Sequence, residues 1–139
     1  MQLTRRDAIL MGAGAALTFA LPLRAFAATS DEAIAAFTGG ADVAEGDIKL
    51  TAPEIAENGN TVPIEVSSDA AVEILVLATG NPTPGVATFK FGPLAGSRAA
   101  STRIRLAGTQ DVVAIAKLED GTFAKASSTV KVTIGGCGG

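Results

Sequence analysis

Apolar and polar residues alternate along most of this chain, and that period of two constrains its fold more than any other feature. In residues 61–67 the alternation places Val62, Ile64 and Val66 on one face, as in a strand with one buried side. Pro63 has no amide hydrogen to donate, so we expect an edge or a bulge at that point. Six other runs have strand character and bring the predicted strands to seven: 47–51, 71–78, 86–91, 101–106, 110–118 and 122–134.

The predicted strands are separated by short turns rich in glycine, proline and asparagine. Asp120-Gly121 is typical of a two-residue hairpin, because both positions tolerate a positive φ. Short strands with turns about every 8–12 residues are typical of an immunoglobulin-like antiparallel β-sandwich. No long helical pattern separates them, which argues against a parallel α/β sheet. We therefore predict an all-β fold and assign the following apolar residues to its core rather than to a partner surface: Phe89, Phe91, Val112, Val113 and Ile115.

A short helix is predicted before the first strand. Thr29 and Glu32 have the spacing of a capping box, and the following residues have no turn signal until Gly39-Gly40. The acidic segment 42–47 is interpreted as a solvated loop. With this helix, the sandwich domain is predicted to span residues 28–134.

The first 27 residues have the composition of an export signal. Arg5 and Arg6 precede an apolar run at 9–23, and residues 25–27 read Ala-Phe-Ala, a small-x-small cleavage signal. The run is shorter than the roughly 20 apolar residues that span a membrane, which disfavours the alternative of an uncleaved N-terminal anchor. The segment resembles a twin-arginine signal peptide. It implies a periplasmic protein that is free of the membrane once residues 1–27 are removed.

The composition excludes most classes of enzyme. The 139 residues include no His and a single Cys, and the net charge is −3. Without His, the Ser-His-Asp and Cys-His mechanisms and the His-containing zinc sites are impossible. One Cys cannot form an intrachain disulfide, a four-thiolate zinc site or an iron–sulfur centre. We therefore predict no catalytic residue, no metal, no cofactor and no nucleic-acid partner.

The last predicted strand runs directly into Gly135-Gly136-Cys137-Gly138-Gly139. Because glycines have no side chains to pack and wide conformational freedom, we predict a flexible arm that carries the thiol roughly 10 Å beyond the sandwich. On this view Gly136 and Gly138 lie outside the sandwich, and replacing them with Val would leave the fold intact while impairing the fit to partners. No neighbouring cation activates the sulfur, and a thiol pKa of about 8.5 leaves little thiolate at neutral pH. Cys137 is therefore predicted to be a covalent attachment point that a partner's active site activates.

This terminal motif, together with the leader, resembles the SoxY family, the sulfur-carrier subunits of the SoxYZ complex in bacterial thiosulfate oxidation. Residues 46–50 and 57–63 also resemble that family's N-terminal strand region. The resemblance implies that Cys137 holds thiosulfate-derived intermediates in the periplasm. It implies a SoxZ-like subunit as the constant partner. It further implies that three kinds of enzyme act on the arm: a SoxAX-like haem enzyme, a SoxB-like metal-dependent hydrolase and a SoxCD-like sulfane dehydrogenase.

Three other functions remain open. Ubiquitin-like sulfur carriers also end in Gly-Gly, as Gly138-Gly139 do here, but they load sulfur on the terminal carboxylate. Such carriers are cytoplasmic and have a mixed α/β fold. A non-catalytic periplasmic adhesion or assembly module would use a strand edge and would not need residues 135–139. An enzyme that acts through Cys137 alone is the weakest alternative, because no activating base or cation can be named.

Overall fold

The computed structural model describes residues 29–136, which form one helix, α1 (Ser30–Thr38), and nine strands. The strands are, in chain order, β1 (Val43–Glu45), β2 (Lys49–Thr51), β3 (Ile55–Asn58), β4 (Val62–Ser67), β5 (Ala71–Ala78), β6 (Gly85–Lys90), β7 (Ala99–Ile104), β8 (Gln110–Leu118) and β9 (Phe123–Ile134).

The strands form two sheets. The larger has the order β1-β9-β8-β5-β6, with β3 also paired to β9, and the smaller has the order β2-β4-β7. β8 runs antiparallel to the first part of β9, whereas β1 and β3 lie parallel to its beginning and its end. The predicted all-β sandwich is confirmed, with nine strands instead of seven and with two parallel ladders among the antiparallel ones.

Two short strands differ from the prediction. β1 lies in the acidic segment 42–47, for which the loop interpretation is wrong, and β3 lies between two predicted strands. They have 3 and 4 residues, too few for an alternating pattern to stand out. Both are held by pairing with β9, which is distant in sequence, so local periodicity does not report them.

Pro63 lies in β4, the middle strand of the smaller sheet. β2 pairs with β4 only from Glu65 to Ser67, so at Pro63 the one neighbouring strand is β7, where Arg103 lies opposite. The edge that the sequence predicts is therefore a local one within a central strand.

Side chains from both sheets fill the space between them, and Phe89 and Phe91 pack partly buried against this core. Val113 and Ile115 belong instead to a second cluster, on the other side of the larger sheet. All five side chains predicted to be core are thus buried or half-buried. The largest fully buried side chains between the sheets are those of Val62, Val66, Ile74, Val76, Leu106, Val112 and Val130.

Helix α1 covers the outer face of the larger sheet. The predicted capping box is present, with the Thr29 amide donating to the Glu32 carboxylate at 2.8 Å and the Glu32 amide donating to the Thr29 hydroxyl at 3.3 Å. Gly39 ends the helix in the left-handed conformation. Phe37 packs edge to face on Phe123, with ring centroids 5.8 Å apart. Across residues 29–136, no helix is long and apolar enough to cross a membrane.

Candidate functional site at the root of the C-terminal arm

The structure describes the root of the predicted arm but not its tip. Gly135 and Gly136 follow directly on β9. The predicted attachment residue and the two glycines after it lie outside the described residues, as do the two arginines of the predicted export signal: Cys137, Gly138, Gly139, Arg5 and Arg6.

Three backbone segments meet at the root of the arm. The Gly59 amide donates to the carbonyl of Ile134 at 2.7 Å, and the Gly59 carbonyl accepts from the amide of Leu106 at 2.7 Å. The Leu106 carbonyl accepts in turn from the amide of Gly136 at 2.8 Å. We call Gly59, residues 106–107 and residues 134–136 the arm clasp. It joins the turn before β4, the segment after β7 and the end of β9.

Three positions of the arm clasp require glycine because the neighbouring backbone leaves no space for a side chain. A Cβ on Gly59 would overlap the carbonyl oxygen of Leu106 and would lie 2.8 Å from the Gly136 nitrogen. A Cβ on Gly135 would overlap the carbonyl oxygen of Ala107. A Cβ on Gly136 would lie 2.9 Å from the carbonyl oxygen of Gly59. Glycine here allows backbone to pack directly on backbone.

This packing corrects the expectation for the first two glycines of the arm. Gly136 is buried and hydrogen bonded, so the folded part of the chain continues to residue 136 instead of ending at 134. The structure gives a reason against the expectation that a Gly136→Val variant leaves the fold undisturbed. A Cβ there would lie 2.9 Å from the carbonyl oxygen of Gly59, so the backbone of one of these residues would have to shift.

Two buried amide side chains bind the backbone around Leu106, the residue whose carbonyl accepts from the amide of Gly136. Asn81 donates to the carbonyl of Arg105 at 2.8 Å and accepts from the amide of Ala107 at 2.9 Å. Gln110 donates to Asn81 Oδ1 at 2.8 Å and to the carbonyl of Gly108 at 3.0 Å. Asn81 and Gln110 are 6% and 8% exposed, so these bonds are shielded from water. The two amides fix the backbone on both sides of Leu106.

Sequence reasoning does not find these residues. Asn81 stands in Asn81-Pro82-Thr83-Pro84, where it reads as a turn residue, and Gln110 reads as the start of a strand. Neither position shows locally that its side chain is buried. The signal that exists is Asn58-Gly59, which marks a turn but not the close backbone contact that the turn makes.

The end of the sandwich that carries the arm has little charge. Residues 58–61, 79–84 and 105–109 contain one ionisable side chain, that of Arg105, which is exposed. Ile134, at the arm root, is 66% exposed. No group of three or more His, Cys, Asp or Glu that could hold a metal occurs within residues 29–136. Within the described residues, no cluster of metal-ligating side chains therefore lies beside the arm root, and Arg105 is the one charged side chain of these three segments.

Two other features lie away from the arm. A groove of about 590 Å³ opens on the smaller sheet beside Pro63, and its charged side chains, Glu65 and Arg103, are engaged with Ser101 and Thr61. At the opposite end of β9, the Thr122 side chain and amide hydrogen bond to Asp120 and lower the pKa of that carboxyl. Neither feature contacts the arm clasp.

Known proteins resemble both the sequence and the fold. The family described as sulfur oxidation protein SoxY matches residues 34–137. The solved structure of the sulfur carrier protein SoxY from Chlorobium limicola f thiosulfatophilum is similar, with a TM-score of 0.66 and 37% identity over 75% of this chain and 96% of that chain. Superoxide reductase (neelaredoxin) from Ignicoccus hospitalis has a TM-score of 0.55 at 17% identity, over 63% of this chain and 80% of that chain. At that identity the likeness shows the fold alone. A comparison with curated proteins finds no match.

Proposed function

Since the chain belongs to the SoxY family of sulfur oxidation proteins, we propose that it is a sulfur carrier that holds thiosulfate-derived intermediates covalently on Cys137. The observation that carries the proposal is that the family match extends to Cys137, the one cysteine of the chain. That residue directly follows Gly136 of the arm clasp in the sequence. The chain acts as a substrate for partner enzymes and is not itself an enzyme.

The proposed cycle requires no catalytic group from this chain. In the loading step the Cys137 thiol and thiosulfate lose two electrons and one proton, and a sulfur–sulfur bond forms to give a cysteine S-thiosulfonate. A haem enzyme of the SoxAX kind is the electron acceptor. Hydrolysis by a SoxB-like enzyme then breaks the sulfur–sulfonate bond, takes up water, releases sulfate and two protons, and leaves a persulfide anion. The persulfide that remains on Cys137 passes to a SoxCD-like enzyme or another acceptor.

The same proposal places the protein in the periplasm. Arg5 and Arg6 would direct export of the folded domain by the twin-arginine route, with removal of residues 1–27. A SoxZ-like subunit is the proposed constant partner. Oxidation of thiosulfate outside the cytoplasm is compatible with a chain whose single thiol has no second cysteine with which to form an intrachain disulfide.

The alternatives fit the observations less well. A carboxylate carrier of the ubiquitin-like kind would have a mixed α/β fold, whereas the described chain is all-β apart from one short helix. A pure assembly module gives no reason for a family match that reaches the terminal cysteine.

Replacing the chromosomal gene in the source organism tests the proposal. A Cys137→Ser variant is expected to abolish thiosulfate-dependent oxygen uptake, while Thr83→Ala, an exposed change in the turn before β6, is expected to leave it unchanged. Immunoblots of the periplasmic fraction confirm equal amounts of each variant. Normal uptake with Cys137→Ser would overturn the proposal. In that case, loss of uptake on deletion of Gly139 would favour carboxylate loading, and normal uptake after deletion of residues 137–139 would favour an assembly module.

A further inference from the structure

We infer that Gly59 and Asn81 are positioning residues of the carrier arm: they hold Gly135 and Gly136 on the domain, so that Cys137 is joined to a residue that is fixed there. The inference deepens the proposed function, because it states where on the domain a partner enzyme meets the sulfur. Its test does not depend on sulfur loading, so the inference can fail while the proposed function holds, or hold while the proposed function fails.

Gly59 couples the arm to the rest of the sandwich. Its amide binds the carbonyl of Ile134 and its carbonyl binds the amide of Leu106, so one residue connects β9 with the segment after β7. The carbonyl of Leu106 is the acceptor for Gly136, and it is also the atom that a side chain at position 59 would overlap. A side chain on residue 59 therefore forces the Leu106 carbonyl, the Gly136 amide or both to shift, which strains the hydrogen bond between them.

Asn81 sets the direction of that acceptor. It binds the carbonyl of Arg105 and the amide of Ala107, which flank Leu106 on either side. The backbone amide of Asn81 donates to the carbonyl of Ala78 at 3.2 Å, and the Gln110 side chain donates to the Asn81 side-chain oxygen. Two flanking peptide groups held by one rigid side chain leave the Leu106 carbonyl little freedom to rotate. Asn81 thus acts on the arm indirectly, by fixing the Leu106 carbonyl to which the arm is hydrogen bonded.

The arm clasp sets how far the sulfur reaches. With the clasp closed, the Cα of Cys137 lies one peptide step, about 3.8 Å, from that of the held Gly136. Release of Gly135 and Gly136 would add two residues of free chain, about 7 Å. A partner that works on the closed form must bring its reacting centre to the surface around Ile134 and Arg105. A partner with a deeper centre must open the clasp.

Alkylation of Cys137 in the mature protein by two maleimides tests this inference. N-ethylmaleimide reaches a thiol close to a surface, whereas a maleimide that carries a polyethylene glycol chain is hindered there, so the ratio of the two rates reports tether length. Gly59→Ala is expected to raise the rate with the polyethylene glycol maleimide, relative to the rate with N-ethylmaleimide, several-fold. Gly108→Ala is the matched control, because a Cβ there meets nothing within 4 Å, and its ratio is expected to equal that of the wild type.

Two further measurements keep the inference falsifiable if Gly59→Ala does not fold. Insertion of two glycines between Gly136 and Cys137 lengthens the tether with the clasp intact and is expected to raise the ratio as Gly59→Ala does. In the wild type, the Gly136 amide is expected to exchange with deuterium many-fold more slowly than that of Gly138. Equal exchange at the two positions would overturn the inference. So would an unchanged ratio in a folded Gly59→Ala protein when the insertion raises it.

Discussion

At the scale of single residues, Gly135 and Gly136 hold the root of the arm on the domain by direct backbone contact. The segment Gly135-Gly136-Cys137-Gly138-Gly139 predicts an arm with an attachment point, because five such residues after a strand have no packing role that local pattern can reveal. Glycine is common both in flexible segments and where two backbone segments pack closely, and the sequence alone does not distinguish these two roles. Gly135 and Gly136 have the role of close backbone packing, because they contact Ala107 and Gly59, which are distant in sequence.

Asn81 is the residue whose loss should weaken the arm end most. An Asn81→Ala variant leaves the carbonyl of Arg105 and the amide of Ala107 without the partners they have now. We expect the free energy of unfolding to fall by at least about 2 kcal/mol, since two buried polar groups lose their partners and each costs about 1–3 kcal/mol. Urea denaturation measures this change. Thr83→Ala, two residues along the same turn and exposed, should change stability by less than about 0.5 kcal/mol. Equal stabilities for the two variants would contradict the structural role given to Asn81.

At the scale of elements, the strands with the longest alternating or apolar runs are the most predictable. β5 (Ala71–Ala78) and β8 (Gln110–Leu118) have the predicted bounds, and the capping box correctly marks the start of α1. β1 and β3 escape prediction because distant pairing with β9 forms them. β3 nonetheless matters for the site, because Asn58 pairs with Ile134 and thereby places Gly59 beside the end of β9.

Helix α1 is expected to contribute to stability by covering the apolar outer face of the larger sheet. Phe37→Ala removes the ring that packs on Phe123 and on the second apolar cluster. Because Phe37 is half-buried, we expect a loss of about 2 kcal/mol, below the roughly 3–5 kcal/mol typical of a fully buried Phe. Chemical denaturation followed by circular dichroism measures the loss. Ala36→Ser, on the exposed side of the same helix, is the control, and a Phe37→Ala protein as stable as that control would show that the helix does not stabilise the sheet.

At the scale of the whole molecule, the two ends of the sandwich differ in what they can do. The arm emerges from the end at which β9 stops, among segments with a single ionisable residue, Arg105, whereas the acidic hairpin turn at Asp120 lies where β9 begins. A partner that reaches the arm at this end therefore meets the exposed side chains of Ile134 and Arg105. Export, a partner subunit and the order of the enzymes stay predictions. They rest on the family and on the sequence of residues 1–27, and the fold of the described domain does not test them.

The most direct test of the central claim is intact-mass spectrometry of the protein isolated from the periplasm of its source organism after growth with thiosulfate, before and after treatment with a thiol reductant. Sulfur carriage on Cys137 predicts mass additions in increments of sulfur and sulfonate that map to Cys137 by peptide sequencing and disappear on reduction. An unmodified Cys137 in actively oxidising cells, or an addition that maps to the carboxylate of Gly139, would contradict it.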